Sequence, residues 1–438
     1  MSDPLFYARA LQFAATLSVA GAVFFIAFIA EPALRPTTAD PRIVMALRRR
    51  LAWIAWISLI VALISAVPWL VIVAGAMSGQ PLGALYGQSV LRTVLTQTDF
   101  GHDWLLRAVF ACALGGLFVR FLSVKAAAPR SLHVATAILA AAYAGSPAWA
   151  GHAIGSEGLE GVIHPAADIL HLVAAAAWVG GLAPFAVLLT TAGADGASLA
   201  LARIATQRFS NLGIASVASL LVSGLVNAWY LVGSIPALTA TGYGRLLSVK
   251  LMLFLIMVGI AAVNWSQLTP KLAANDDMAA AQLARRRLRR NAAIEAALGT
   301  AIIGIVAVLG TLPPASHAAL HAHADAIPAD AFFQHIHTEH GMADVTIEPG
   351  HVGIAGVTMR LWDADENPLE AQTVTLTLTP PVPAGKPITR SALLDADGLW
   401  QVAGIEFPRP GIWTVTVSAV LGPGKRIDLT APVVIDAR

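Results

Sequence analysis

The sequence predicts a polytopic α-helical membrane protein with eight transmembrane helices, followed by a small Ig-like antiparallel β-sandwich domain. Of its 438 residues, 57% are hydrophobic and 12% are charged, whereas a soluble domain has about 45–50% and about 25%. Apolar runs long enough to cross a bilayer recur up to residue 312. Short alternating runs separated by turn residues follow them. The composition therefore excludes an ordinary soluble enzyme, a disordered chain and a nucleic-acid-binding protein.

Eight apolar runs define the predicted membrane domain, residues 1–312. The predicted spans lie near residues 6–30, 52–76, 104–122, 132–150, 164–190, 209–233, 246–266 and 292–312. Runs of this length must be helical, because lipid offers no hydrogen-bond partners to an open backbone. The first run is expected to be a retained span and not a signal peptide, since Asp3 stands where a basic segment would precede the apolar one.

Basic residues predict the orientation of the spans. They are concentrated in every second loop: Arg35, Arg42, Arg48, Arg49, Arg50, Lys125, Arg130, Arg203, Arg208, Arg285, Arg286, Arg287, Arg289 and Arg290. The opposite loops hold little beyond Arg92 and Arg245. Because basic loops stay in the cytoplasm, both termini are expected outside. The net charge is only +2, so the arginines indicate topology and lipid contact, and no nucleic-acid partner is expected.

The character of the chain changes after residue 312. Pro313 and Pro314 end the last helix, and a linker rich in Ala and His is predicted over residues 313–342. Residues 343–438 are predicted to form the β-sandwich, with strands at Val345–Ile347, Gly356–Trp362, Thr373–Thr379, Leu399–Val402, Trp413–Val420 and Ile427–Ile435. Six or seven short strands with turn signals between them are typical of a sandwich. The predicted topology places this domain outside the membrane.

Histidines and one aspartate at the outer ends of the spans are the candidate metal ligands. The candidates are His102, His152, His164, Asp168 and His171. His171 lies seven residues beyond His164, which is about 10 Å deeper in a helix. Asp168 stands between them, and the three positions fall within about 60° of one another around the helix, on a stripe that Trp178 continues.

Ionisable groups at membrane depth usually face a bundle interior or a water-filled cavity. Neutral imidazole binds copper, zinc, iron and nickel, so this stripe predicts a metal site without selecting the metal. The alternative is that His102, His152 and His164 are interfacial residues that bind headgroups or loop carbonyls.

Two further groups of polar residues are candidates. Six histidines near the linker suggest metal capture, with a low-complexity segment as the alternative: His317, His321, His323, His335, His337 and His340. On the inner side, Asn264 and Glu295 are candidates for a polar exit, with Glu31 nearby. Ordinary polar residues at helix ends are the alternative for these three.

Several short stretches resemble the copper resistance protein D family (CopD/PcoD-like, including the YcnJ-type fusions) of bacterial inner-membrane proteins. They are Gly151–Ala153, His171–Leu182, Ser223–Trp229, Tyr243–Lys250, Ala262–Pro270, Leu288–Asn291, Glu295 and Leu309–Pro314. The β-region resembles the YtkA-like domain of some members, on the residues Asp363–Leu369, Gly398–Trp400 and Pro410–Thr414. The resemblance covers most of the membrane region in matching order.

The resemblance implies an eight-helix protein without enzymatic activity that moves copper ions from periplasm to cytoplasm. It also implies a multi-pass inner-membrane location with periplasmic termini. A fused CopC-like copper-binding domain is absent from this sequence. We therefore expect the His-rich linker, or a separate periplasmic CopC-like protein, to deliver the ion.

Two other functions remain open from the residues alone. A membrane b-type haem redox protein would use paired histidines as axial ligands. A periplasmic copper-binding scaffold would use the β-domain and linker, with the helices as an anchor.

Overall fold

A computed structural model describes residues 4–78, 90–123, 129–150, 160–191, 195–232, 235–273, 278–312, 330–338, 341–363, 367–380, 386–422 and 424–436. The chain divides into two compact units, one of helices and one of β-sheet. The helices are α1 (Pro4–Phe24), α2 (Glu31–Leu34), α3 (Pro41–Ser78), α4 (Val90–Gln97), α5 (Asp99–Ser123), α6 (Arg130–Gly145), α7 (Glu160–Thr191), α8 (Gly196–Val232), α9 (Ala237–Ala240), α10 (Gly242–Val263), α11 (Thr269–Ala273) and α12 (Met278–Leu309).

Every predicted span coincides with a helix in the described residues. Seven helical stretches are long and apolar enough to cross a membrane. The remaining span is α6, which has 16 residues and is continued by the 3₁₀-helix Ser146–Ala150. Two of the seven stretches are interrupted by π-helical turns, Phe25–Ala30 between α1 and α2 and Asn264–Leu268 between α10 and α11. The number eight is therefore approximate: seven long spans and one short one.

Helix α7 packs against α1, α6, α8 and α12 in the helical unit. Its contact with α1 is a close approach of two backbones. A Cβ atom added to Gly180 would lie 2.1 Å from the carbonyl oxygen of Leu17, and one added to Gly21 would lie 2.2 Å from the carbonyl carbon of Gly180. Small residues allow membrane helices to approach this closely. The two glycines thus fix where α7 crosses α1.

The β-unit is a sandwich of antiparallel strands. Its strands are β1 (Phe332–Thr338), β2 (Gly341–Glu348), β3 (Gly353–Trp362), β4 (Thr373–Thr379), β5 (Ile388–Ser391), β6 (Leu393–Leu394), β7 (Trp400–Phe407), β8 (Gly411–Gly422) and β9 (Lys425–Ile435). One sheet has the order β1-β2-β3-β7-β6 and the other β5-β4-β8-β9. Alternate side chains of both sheets form one apolar core around Trp413 and Phe407.

The start of this unit differs from the prediction. Strand β1 occupies Phe332–Thr338, within the segment predicted as linker, so the sandwich begins before residue 343. Its backbone pairs with seven of the eight residues of β2, from Phe332 opposite Ile347 to Thr338 opposite Gly341. Ile336 of this strand is buried in the apolar core of the sandwich. His335 and His337 are therefore strand residues, not linker residues.

Candidate metal site

The three candidate residues of α7 occupy successive turns of that helix. His164 is buried, and its Nε2 lies 3.9 Å from the Oδ2 of Asp168. His171 is half-buried one turn beyond Asp168. The predicted stripe therefore exists as a row of imidazole and carboxylate groups along one face of α7.

Helix α8 supplies a polar partner for each member of the row. The ring of Tyr230 stacks on His164 with a centroid distance of 4.8 Å. Asn227 donates from Nδ2 to the Oδ1 of Asp168 over 2.6 Å. The Nδ1 of His171 lies 3.0 Å from the Oγ of Ser223. The pairs run in opposite order along the two helices, so α7 and α8 face each other as two antiparallel polar stripes.

The hydrogen bonds of Ser223 determine the tautomer of His171. The hydroxyl of Ser223 donates its single proton to the carbonyl of Ser219 over 2.6 Å. It can therefore only accept from the imidazole, so Nδ1 of His171 carries the proton. The Nε2 atom then has a free lone pair, which is the state in which imidazole binds a metal ion.

A second oxygen and a lysine side chain adjoin this row. The Oδ1 of Asn227 is buried and accepts no hydrogen bond from the part of the chain that the structure describes. Lys250 of α10 interacts electrostatically with both Asp168 and His171. The row is thus a mixed set of nitrogen and oxygen donors beside the amino group of Lys250.

Asn264 and Glu295 lie together beside the middle of α7, next to Trp178. Asn264 donates from Nδ2 to the Oε1 of Glu295 over 2.7 Å, and its own Oδ1 accepts from Asn291 over 2.7 Å. Trp178 also donates a hydrogen bond to Glu295. Trp178 is on the predicted stripe, two turns beyond His171. Helix α7 therefore connects the His164–Asp168–His171 row with the pair Asn264 and Glu295.

The other candidate residues are not part of this row. His102 of α5 is exposed, and its Nε2 lies 3.2 Å from the carbonyl of Thr96 in the preceding segment. Glu31 forms a bidentate ion pair with Arg48, at 2.7 and 2.8 Å. His152, His317, His321, His323 and His340 lie outside the described residues, as do the side chains of His335 and His337.

Within the described residues, no group of three or more His, Cys, Asp or Glu side chains is arranged to hold one metal ion. The donor groups of His164, Asp168 and His171 instead lie one helical turn apart along α7.

Sequence reasoning missed the partners on α8. Ser223, Asn227 and Tyr230 follow the same four-and-three spacing as the row on α7. Polar residues at these intervals on an apolar helix are a signal that could have identified them.

The start of α8 is fixed by a polar residue outside the membrane-spanning segment. Asp195 accepts hydrogen bonds from the hydroxyl of Ser198 over 2.7 Å and from its backbone N–H over 2.9 Å. These bonds lower the pKa of the Asp195 carboxyl below its usual value, because they favour the charged form. Asp195 thus acts as the N-terminal cap of the helix that carries the partner residues.

Comparison with known proteins agrees with this architecture. The family model "Copper resistance protein D" matches residues 203–309, and "Copper resistance protein D-like, N-terminal domain" matches residues 1–162. Copper resistance protein D of Pseudomonas syringae pv. tomato is 30% identical over 322 residues, which cover 73% of this chain and 100% of that protein. This chain belongs to the copper resistance protein D family.

Two other relatives extend the comparison for this family member. Inner membrane protein YebZ of Escherichia coli (strain K12) is 35% identical over 253 residues, covering 58% of this chain and 81% of that protein. Copper transport protein CutJ of Bacillus subtilis (strain 168) is 25% identical over 358 residues, covering 81% of this chain and 62% of that protein. No solved structure matches the chain significantly.

The comparisons bear on the functions left open by the residues. The family and two of the three relatives carry names of copper resistance or copper transport, and none of the names describes an enzyme. A copper-related function is therefore supported. The haem-protein and scaffold hypotheses are not favoured.

Proposed function

We propose that this protein is an inner-membrane copper transport and homeostasis protein that moves copper ions from periplasm to cytoplasm. Family membership supports a copper-related function. The names of YebZ and CutJ support the inner membrane and transport. The observation that carries the proposal is the row of His164, Asp168 and His171 on α7, which faces the polar stripe of α8.

The path begins at the periplasmic side in the orientation that the basic loops predict. There His102, His152 and the six histidines of the linker and β1 (His317, His321, His323, His335, His337 and His340) capture or deliver the ion. The same predicted orientation places the C-terminal sandwich on this side. A separate CopC-like protein is the proposed partner in delivery.

The ion then passes along α7 from donor to donor. His164 and Asp168 supply the first nitrogen and oxygen ligands, whose atoms lie 3.9 Å apart. The buried Oδ1 of Asn227 is a further oxygen beside Asp168. The free Nε2 of His171 takes the ion one turn deeper. Imidazole nitrogen is a good ligand for copper, so the row suits this cargo.

Charge favours movement of the ion rather than its retention. Asp168 supplies a negative charge that attracts the ion into the row. Lys250 interacts with Asp168 and His171 and, when protonated, adds a positive charge that opposes retention of the ion. This repulsion weakens binding at His171 and so favours release of the ion.

Asn264 and Glu295 form the proposed exit on the cytoplasmic side. Glu295 is only 2% exposed, and its carboxylate is oriented by Asn264 and Trp178. Between His164 and Trp178 α7 covers 14 residues, which is about 21 Å of helix axis. The row and the exit therefore span most of the hydrocarbon core, which is about 30 Å thick.

Copper accumulation in living cells tests this function. Cells that express the protein should accumulate more copper than cells that lack it, and expression of Asp168→Asn at equal membrane levels should reduce the excess. Equal accumulation with and without the protein would refute import. A lower copper content in expressing cells would reverse the proposed direction.

A further inference from the structure

A cavity of about 410 Å³ lies between α7, α8, α10 and α12. It follows α8 from Thr206 to Leu221, a distance of about 22 Å at the rise of an α-helix. Apart from Thr206, Ser210, Asn264 and Glu295, the described residues that line it are apolar, aromatic or glycine. The lining includes no Lys, Arg or His. The cavity is therefore long, apolar and polar at only a few points.

The cavity opens toward the surface that lipid covers. Ile214 and Leu221 of α8 line it and are 51% and 49% exposed. Trp265, in the π-helical turn after α10, also lines it and is 52% exposed. Because these side chains belong to membrane-spanning stretches, a molecule dissolved in the bilayer reaches the cavity between α8 and α10.

The polar end of the cavity accepts hydrogen bonds. A carboxylate has about four lone-pair positions, and Glu295 uses two of them for Asn264 and Trp178. The hydroxyl of Thr206 donates to the carbonyl of Ala202 in its own helix over 2.7 Å. The cavity thus presents a buried acceptor, Glu295, that a ligand with a hydroxyl donor would satisfy.

The walls around this acceptor are aromatic. Phe185 and Phe209 stack on each other with a centroid distance of 4.6 Å, and Trp178 and Trp265 also line the cavity. Flat aromatic surfaces pack well against a planar ring. A metal ion alone would use neither these walls nor an apolar volume of this length, so the shape points to an organic molecule.

We propose that this cavity binds a membrane-soluble hydroquinone, whose ring lies among the aromatic residues and whose hydroxyl donates to Glu295 while its apolar tail extends along α8. Glu295 is also part of the proposed copper exit, and binding of an organic molecule at this residue goes beyond the transport function. Binding is therefore measured on metal-free protein, so that its failure and the failure of copper transport are separate results.

The test uses the full-length protein in phosphatidylcholine nanodiscs, with a chelator present and oxygen excluded. A radiolabelled decyl hydroquinone is titrated, and ligand bound to empty nanodiscs is subtracted. We expect saturable binding at one site per protein. Glu295→Leu should weaken it about tenfold or more, because the hydroxyl of the ligand loses its hydrogen-bond acceptor.

Two cavity-filling variants and one control variant show whether the cavity is the site. Ala262→Phe and Ala218→Phe place a ring in the cavity and should abolish saturable binding. Leu255→Phe adds a ring on the lipid-facing side of α10, away from the lining, and should bind like the wild type. Non-saturable binding to the wild type, or equal binding by the filled and control variants, would overturn the proposal. If a decyl chain without hydroxyls displaced the radiolabelled ligand as well as unlabelled decyl hydroquinone does, the cavity would be a groove for acyl chains. That result would also overturn the proposal.

Discussion

The Nδ1 of His171 donates a hydrogen bond to the Oγ of Ser223, 3.0 Å away on the neighbouring helix. The direction follows from Ser223, whose proton is committed to the carbonyl of Ser219. A hydroxyl on α8 therefore fixes both the tautomer and the orientation of an imidazole on α7. Such outer partners of a metal-binding histidine strongly influence the affinity of the site.

Ser223→Ala should weaken copper binding about 10- to 100-fold, because His171 loses the acceptor that holds its Nε2 free. Competition against a chelator of known copper affinity, on purified protein, measures the change. Ser248→Ala is the matched control, since the hydroxyl of Ser248 donates to the carbonyl of Gly244 in its own helix over 2.9 Å. Equal affinity in the two variants would show that Ser223 does not act through His171.

Asn227→Leu should lower copper uptake about tenfold or more. The change removes the 2.6 Å hydrogen bond to Asp168, and a bond to a charged group contributes about 1.5–3 kcal/mol. It also removes the buried Oδ1 from the row. Asn211→Leu, at an exposed position of the same helix, should leave the uptake rate unchanged. A wild-type rate for Asn227→Leu would exclude this residue from the path.

Gly180→Ala should destabilise the helical unit. The added Cβ would lie 2.1 Å from the carbonyl of Leu17, so α1 and α7 must separate. Overpacking of this kind is unfavourable by about 1–3 kcal/mol, and more where a backbone must move. Thermal unfolding in detergent measures the effect. Gly259→Ala should melt like the wild type, because no neighbouring group among the described residues lies within 4 Å of the added Cβ. The same melting temperature for both variants would contradict the close crossing.

Asp195 should make the stability of α8 depend on acid pH. Its folded-state pKa lies below the unfolded value, because Ser198 donates two hydrogen bonds to the carboxylate. Its stabilisation is therefore complete above the unfolded pKa of about 3.9 and decreases as the pH falls through the folded value. Asp195→Asn should lower the melting temperature at neutral pH and flatten this acid dependence. An acid dependence identical to that of the wild type would show that the cap contributes nothing.

Much of the fold was predictable because the bilayer leaves few alternatives for an apolar run of this length. The eight predicted spans are helices, and the strand predicted at Thr373–Thr379 has the observed bounds. The start of the sandwich was predicted wrongly, because β1 lies in the segment predicted as linker, and this error has a physical cause. Strand β1 is recognisable mainly by its pairing with β2, a contact made in space that local composition does not reveal.

The candidate site was predictable only along one helix. Helical periodicity places His164, Asp168 and His171 on one face, but it cannot identify the helix that this face meets. The partners Ser223, Asn227 and Tyr230 emerge from the antiparallel packing of α7 and α8. The pair Asn264 and Glu295 was expected near one membrane surface, and its hydrogen bond depends on how α10 and α12 pack.

Copper uptake into proteoliposomes that contain a trapped copper indicator tests the proposed path most directly. The experiment compares wild type, His171→Ala and the control His133→Ala, whose imidazole Nδ1 bonds to the carbonyl of Pro129 at the start of its own helix. The proposal predicts wild-type uptake for His133→Ala and uptake at the protein-free rate for His171→Ala. Wild-type uptake by correctly folded His171→Ala would contradict a path along the α7 row.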